Sequence, residues 1–177
     1  QESVKDWDTY NDTAKKMKDA GYKMTASAND TYRVYSNNVT SKWVDGNKIS
    51  IDDNIMKWVD DSKAQVDAGE TGTCDLWSDD WSKGFYPQGK VFCYFGPAWL
   101  VNFSMAADTE GSIGYNGGWG AAQGPQGFFW GGTSVSYTHL GDVYKRQVDG
   151  AQLRDRRDSS GVVHGFVQLR EQTMPTL

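Results

Sequence analysis

The spacing of apolar residues near the start of the chain predicts an amphipathic helix. In DWDTYNDTAKKMKDAG, residues 6–21, apolar side chains recur every three or four positions and so share one face: Trp7, Tyr10, Ala14 and Met17. Asp6 is typical of an N-cap, lysines occupy the last turn, and Gly21 is typical of the residue that follows a helix. We therefore expect a helix between Asp6 and Gly21 that buries one face.

A second helix and two strands follow from the same kind of pattern. DDNIMKWVDDSKAQVDAG again begins on aspartate, ends at Gly69, and carries a predicted apolar face made of Ile55, Met56, Val59 and Val66. YKMTA, residues 22–26, alternates as a short strand, and GKVFCYF, residues 89–95, has the unbroken apolar character of a buried strand. Pro97 lies where a helix can begin, so PAWLVNFSM is expected to form a short helix.

Helices that separate single strands predict an α/β fold, with crossover connections in the sheet. Between residues 111 and 132, nine of 22 residues are glycine, which predicts loop and irregular strand. This glycine-rich stretch contains neither G-x-G-x-x-G nor G-K-[ST], so a phosphate-binding loop is not expected.

Composition narrows the possible functions. The 177 residues suit one domain, and the net charge of -5 argues against binding to nucleic acid, which needs a basic face. No apolar run approaches the roughly 20 residues that span a bilayer. The chain also begins without an initiator methionine or a secretory apolar segment, so export cannot be read directly from it.

The chain offers few candidate residues for catalysis or metal binding. Both histidines, His139 and His164, lie late in the chain, so the first 133 residues hold no Cys/His zinc site and no Ser-His-Asp or Cys-His set. We expect no metal and no cofactor. Cys74 and Cys93 leave two alternatives open, a disulfide or a pair of free thiols.

The tryptophans point to a ligand. Trp99 and Trp119 stand beside glycine and proline, where indoles are often exposed and can stack against the C–H face of a pyranose. Burial in the core is the alternative for each of the two. Carboxylate and guanidinium groups would bind the hydroxyl edge of the sugar, and we assign this role to Asp30, Tyr32 and Arg33 of NDTYR, which follows a predicted strand. A surface loop with a local Asp30–Arg33 ion pair is the alternative. Trp7, Trp43 and Trp58 lie on regular patterns and are expected in the core.

The order of several motifs resembles extracellular solute-binding protein family 1, the carbohydrate-binding receptors of ABC importers. The motifs run from Trp7 to Thr133 and include YRVYSNN, LWSDDWSKG, GKVFCYFGPAW and GPQGFFWGGT. The resemblance implies a partial type II periplasmic-binding-protein-like lobe, the carboxy-terminal one of two, with sugar held in the cleft between lobes. It also implies that Trp99 stacks on the sugar.

The same resemblance implies a protein that binds and does not catalyse. Its partners would be a sugar and the membrane permease subunits of an importer, and it would act as a monomer. It would work outside the cytoplasm, in the periplasm or as a lipid-anchored lipoprotein, with the signal segment missing from this sequence.

Two other classes of carbohydrate protein stay open. A glycoside hydrolase needs two carboxylates facing each other across a cleft, and the candidates are Asp79 with Asp80 or Glu70 with Glu110. A carbohydrate-binding module outside transport would be expected as a β-sandwich.

The chain changes character near Thr133. All eight tryptophans precede it, and the last 44 residues hold six basic and five acidic residues, against 12 and 18 before them. SVSYTHLGDVYKRQ resembles a translated cloning adaptor, and the only regular apolar run after it is GVVHGFVQL. We therefore expect residues 1–133 to form the partial lobe and residues 134–177 to be an artefactual, out-of-frame or disordered tail outside its core. A divergent native tail and a partner-binding extension are the alternatives.

Overall fold

The computed structural model describes residues 2–97 and 99–130, with only the backbone of Asn116, and the backbone of residues 165–170. This part of the chain mixes helix and strand. The helices are α1 (Trp7–Asp19), α2 (Tyr32–Ser36), α3 (Asp53–Asp67), α4 (Asp79–Ser82) and α5 (Trp99–Phe103). The strands are β1 (Val44–Asp45), β2 (Lys48–Ile49), β3 (Cys93–Pro97), β4 (Trp119–Ala122) and β5 (Gly165–Arg170).

Helix α1 confirms the prediction made from its apolar spacing. The Asp6 carboxylate accepts the Thr9 backbone N–H at 2.8 Å, and the Thr9 hydroxyl accepts the Asp6 N–H at 3.2 Å, which forms a capping box. Gly21 ends the helix with a φ of 81°, a conformation that glycine adopts without strain. The apolar stripe packs inward, with Trp7 partly buried and its other members fully buried: Tyr10, Ala14 and Met17.

Helix α3 has the predicted ends but buries a different face. Asp52 caps its first turn, and Gly69 follows its last turn with a φ of 76°. Ile55 is buried and Trp58 partly buried, because α3 packs on α2 and on the turn Ala28–Thr31. The prediction that Met56 and Val59 belong to the buried face is wrong, because the packing face turns toward Trp58 and leaves both exposed.

The predicted strand at residues 22–26 becomes an extended segment between two neighbours. On one side it runs parallel to the start of β3, where Phe92 N donates to Lys23 O and Cys93 N donates to Met24 O, both at 2.9 Å. On the other side Gly72 N donates to Thr25 O at 2.9 Å. The connection between the two parallel segments contains α3 and crosses from one segment to the other.

Strand β3 is buried along its whole length, as predicted, and separates two hydrophobic clusters. Cys93 and Phe95 pack into the first cluster with α1 and α2, while Tyr94 points into the second. There the Tyr94 ring lies 5.0 Å from the rings of Trp81 and Phe85 and 5.7 Å from that of Trp119. Aromatic packing on both faces therefore fixes β3 in the centre of the domain.

The larger sheet has the strand order β3-β5-β4, and both pairings are antiparallel. Cys93 lies opposite Leu169, and Trp119 lies opposite Arg170. Because β5 comes from the GVVHGFVQL run, six residues of the expected separate tail lie between two strands of the domain, which does not fit the expectation that this tail stays outside it. The rest of that tail, residues 134–164 and 171–177 with both histidines, lies outside the described residues, as does the proposed boundary at Thr133.

A short hairpin was not predicted. β1 and β2 pair through a turn that contains Gly46, whose φ is 62°. Trp43, at the base of this hairpin, is 47% exposed. The expectation that Trp43 lies in the core is therefore wrong, because the hairpin extends from the domain and offers Trp43 no covering element among the described residues.

The central position of β5 predicts slow hydrogen exchange. The amides of residues 166–169 are expected to exchange at least about 100-fold more slowly than that of Lys42, because paired strands exchange only through opening. Exchange measured by NMR on the 177-residue chain tests this. Exchange at β5 as fast as at Lys42 would contradict the pairing and favour the separate tail.

Candidate functional site

Three tryptophans from distant parts of the chain form a surface that we call the aromatic wall: Trp77, Trp99 and Trp130. The indoles of Trp77 and Trp99 are nearly parallel, at 17°, with ring centroids 6.4 Å apart. Trp130 meets Trp77 edge-on at 6.1 Å. Trp77 is 50% exposed and Trp99 44% exposed, so both indoles present large apolar area to solvent.

Trp99 lies on the wall because of how α5 begins. The helix starts at Trp99, two residues after β3 ends at Pro97, which confirms the predicted helix in this segment. The next residue, Leu100, is fully buried in the second hydrophobic cluster. A helix that buries Leu100 turns Trp99 about 100° away from the core, and Phe103, one turn later, is exposed beside it with ring centroids 6.0 Å apart.

Trp77 reaches the wall through an unusual backbone conformation. Its φ is 67°, in the left-handed region that bulky residues rarely occupy. One side of its indole packs on the buried ring of Trp81, with centroids 4.9 Å apart. Backbone strain of this kind is concentrated at functional positions, which makes Trp77 a candidate ligand-contacting residue.

Arg33 flanks the wall beside Trp130. Its guanidinium carbon lies 4.9 Å from the centroid of the Trp130 ring, a cation–π arrangement. Among the residues that the structure describes, no carboxylate forms an ion pair with Arg33, so the alternative of a local Asp30–Arg33 pair is not found. Its donor N–H groups can therefore serve a bound molecule.

The segment that carries Trp130 is tied back to the helices that carry Arg33 and Trp7. Phe129 N donates to the Asn37 side-chain oxygen at 3.0 Å, and Trp7 Nε1 donates to the Gln126 side chain at 3.5 Å. These bonds hold residues 126–130 against α1 and α2, so Trp130 has a defined place beside Arg33.

Asp30, expected at the ligand edge, lies beneath the wall instead. Its side chain is buried, and its carboxylate accepts Trp81 Nε1 at 3.1 Å and Ser27 N at 3.0 Å. This position does not fit direct contact with a ligand. Burial raises the pKa of Asp30 to about 7, although the bonds from Trp81 and Ser27 act in the opposite direction.

The other predicted ligand residues lie in two different environments. Tyr32 is partly exposed at the start of α2, and its ring packs edge-on against Trp58 at 4.9 Å. Trp119 is only 8% exposed and packs on Tyr94 in the second hydrophobic cluster. A ring enclosed in this way cannot stack on a sugar, so the position of Trp119 does not fit the predicted role.

Trp77 and Trp130 were missed by the sequence prediction. A tryptophan beside loop-forming residues was the signal that selected Trp99 and Trp119, and Trp77 before Ser78 and Trp130 before Gly131 carry the same signal. The signal does not distinguish an indole that covers the core from one that faces solvent. Contacts made by residues distant in sequence decide that outcome.

The cysteines are the free thiols that one of the two alternatives expected. Cys93 is buried, Cys74 is partly buried, and they form no disulfide. Burial raises the pKa of both thiols, that of Cys93 strongly, so both stay protonated near neutral pH.

Two of the four candidate carboxylates of a hydrolase are already paired or buried. Asp80 pairs with Lys83, and Glu70 is buried. No group of three or more potential metal ligands is found in the described part of the chain.

None of the described helices has the length and apolar character that a membrane span requires.

Comparison with protein-family models, with curated proteins and with solved structures finds no match to this chain. The family resemblance therefore depends on the sequence motifs alone.

The left-handed conformation of Trp77 predicts a difference between two substitutions that both remove the indole. We expect Trp77→Gly to be more stable to urea than Trp77→Ala by about 1 kcal/mol, because only glycine adopts this φ without strain. Equal stabilities of the two variants would contradict the strained backbone at this position.

The burial of Asp30 predicts that stability falls as pH rises. A carboxyl whose pKa is about 7 when folded and ordinary when unfolded favours the folded state most below about pH 4, and this contribution is lost as pH rises to 7. The slope is at most about 1.4 kcal/mol per pH unit. Asp6 and Asp52 have lowered pKa values, so their contributions are lost only as pH falls below about 4.

Urea unfolding at pH 5, 6, 7 and 8 tests this prediction. Asp30→Asn is expected to remove the decline, because the amide does not titrate. A decline of the same size in the variant would assign it to another group.

Proposed function

We propose that this chain binds carbohydrate on the aromatic wall, as the sugar-binding component of an ABC importer that works outside the cytoplasm. The observation that carries the proposal is the pair of half-exposed, nearly parallel indoles of Trp77 and Trp99. Interior packing does not require two such rings on the surface, and their exposure leaves apolar area uncovered that a ligand can cover.

The chemistry of the wall suits a neutral sugar. The C–H face of a pyranose loses contact with water when it lies on an indole, and its hydroxyl edge needs donors and acceptors nearby. Arg33 supplies donors at the Trp130 end of the wall. Asp75 and Asp79, both exposed, flank Trp77 along the chain and supply acceptors.

An open wall covers only one face of its ligand. In the solute-binding proteins that the sequence motifs resemble, a second lobe covers the other face, because the sugar lies between two lobes that close on it. In this proposal the chain forms one side of such a cleft, acts as a monomer without catalysis, and delivers its sugar to membrane permease subunits.

Titration calorimetry with maltohexaose, cellohexaose and xylohexaose tests the binding step. Trp99→Ala is expected to weaken binding by about 1 to 2 kcal/mol, roughly 5- to 30-fold, because the stacking surface is removed. Trp43→Ala is the matched control, since Trp43 is 47% exposed but belongs to the hairpin and not to the wall. Its affinity is expected to equal that of the unsubstituted chain.

Equal affinity in the Trp99→Ala and unsubstituted chains would contradict the assignment of the wall. If chromatography shows that the chain releases shorter sugars from the same hexasaccharides, the role of a glycoside hydrolase replaces the binding role. Unchanged uptake of the bound sugar by cells that lack the protein would favour a carbohydrate-binding module outside transport.

A further inference from the structure

Asp30 is a buried carboxylate without a cationic partner among the residues that the structure describes. Its side chain is 3% exposed, and no lysine or arginine in the described part of the chain forms an ion pair with it. Its hydrogen-bond donors are the indole of Trp81 and the backbone N–H of Ser27, both neutral. An arrangement of this kind costs stability whenever the carboxyl is ionised, so its presence calls for a role beyond packing.

The carboxylate joins two separate parts of the fold. Ser27 directly follows the extended segment that lies beside β3, whereas Trp81 belongs to α4 and is 51 residues away from Asp30 along the chain. Trp81 is buried, and its ring supports the strained Trp77 at a centroid distance of 4.9 Å. Asp30 therefore fixes the Trp81 ring, on which Trp77 of the aromatic wall packs.

We propose that Asp30 is a positioning residue of the aromatic wall, and that binding of a proton to its carboxylate loosens Trp81 and Trp77 and weakens the wall's affinity for sugar. This inference rests on the proposed function for its ligand. Asp30 acts through Trp81 and does not touch the sugar itself.

The groups around Asp30 do not compete with it for protons near neutral pH. Within the described part of the chain, the titratable side chains that interact electrostatically with it come from α1, from β3 and from the loop after α3: Tyr10, Cys93, Tyr94 and Cys74. Burial raises the pKa of each of them above its ordinary value, so all four stay neutral between pH 5 and 8. The pKa of Asp30, raised to about 7, is the one in this cluster that lies within that range.

The ionised carboxylate is the form that holds Trp81 best. A charged acceptor strengthens the bonds from the indole and from Ser27 N–H, whereas a protonated carboxyl turns one oxygen into a donor that faces other donors. Affinity and stability should therefore respond to pH in opposite directions. Ionisation orders the wall while it lowers the free energy of unfolding of the whole domain.

Indole N–H signals in ¹⁵N–¹H spectra of the full 177-residue chain give a direct test, because Trp81 Nε1 donates to the carboxylate. We expect the Trp81 and Trp77 signals to titrate together with a midpoint near pH 7, the pKa of Asp30, while the Trp43 signal stays fixed. In Asp30→Asn neither signal should titrate. Asp52→Asn, which removes another buried carboxylate at the start of α3, should leave the titration unchanged.

Affinity for the tightest-binding of the three hexasaccharides is measured on the same proteins. From pH 5.5 to 8.5 it is expected to rise about two- to fivefold in the unsubstituted chain and to stay constant in Asp30→Asn. Affinity that falls with pH alongside stability would overturn the positioning role.

If the Trp81 and Trp77 signals of the unsubstituted chain do not shift with pH, the inference is overturned. This outcome needs no variant, so the test holds even if Asp30→Asn fails to fold. If none of the hexasaccharides binds at any pH, the proposed function fails. The Trp81 titration then still decides whether Asp30 positions the ring that supports Trp77.

Discussion

The hydrogen bond from the Trp81 indole to the buried Asp30 carboxylate is the interaction on which the exposed surface depends. It connects the turn Ala28–Thr31 to α4, and through Trp81 it supports Trp77. The bond is made in an apolar environment, where a charged acceptor is costly to bury and the loss of its donor is costlier still. A single contact therefore links the interior of the domain to the geometry of its surface.

Strand β3 supplies the rigid base for this arrangement. Its side chains alternate between two clusters, so neither of its faces meets solvent, and Tyr94 packs on Trp81 while its hydroxyl donates to the Trp81 carbonyl at 2.9 Å. Two residues after β3 ends at Pro97, the helix that carries Trp99 begins. The same strand thus supports Trp77 indirectly, through Trp81, and positions Trp99 through chain connectivity.

Local patterns predicted the elements whose ends and faces are set by nearby residues. Helix α1, with Asp6 at its start and Gly21 after its end, and the buried β3 followed by a helix at Trp99 belong to this group. Helix capping and the alternation of side chains along a strand depend on a few neighbouring residues, so the sequence of one chain is enough to predict these elements.

Long-range contacts decided what the sequence could not predict. Asp30 follows turn-forming residues and was expected at the surface, but Trp81 covers it. Trp99 and Trp119 carry the same local signal, yet one faces solvent and the other packs on Tyr94. Strand β5 lies where composition had indicated a tail, because pairing with β3 and β4 depends on backbone groups and not on tryptophan content or charge.

Whether sugar binds at the aromatic wall can be read from the tryptophan side chains themselves. Indole N–H spectra of the 177-residue chain are recorded with and without a saturating neutral hexasaccharide, with each signal assigned by single substitutions. If the wall binds the sugar, the signals of Trp77, Trp99 and Trp130 shift while those of Trp43 and Trp119 do not. Shifts confined to Trp43, or no shift at Trp77 and Trp99 when sugar is bound, would contradict it.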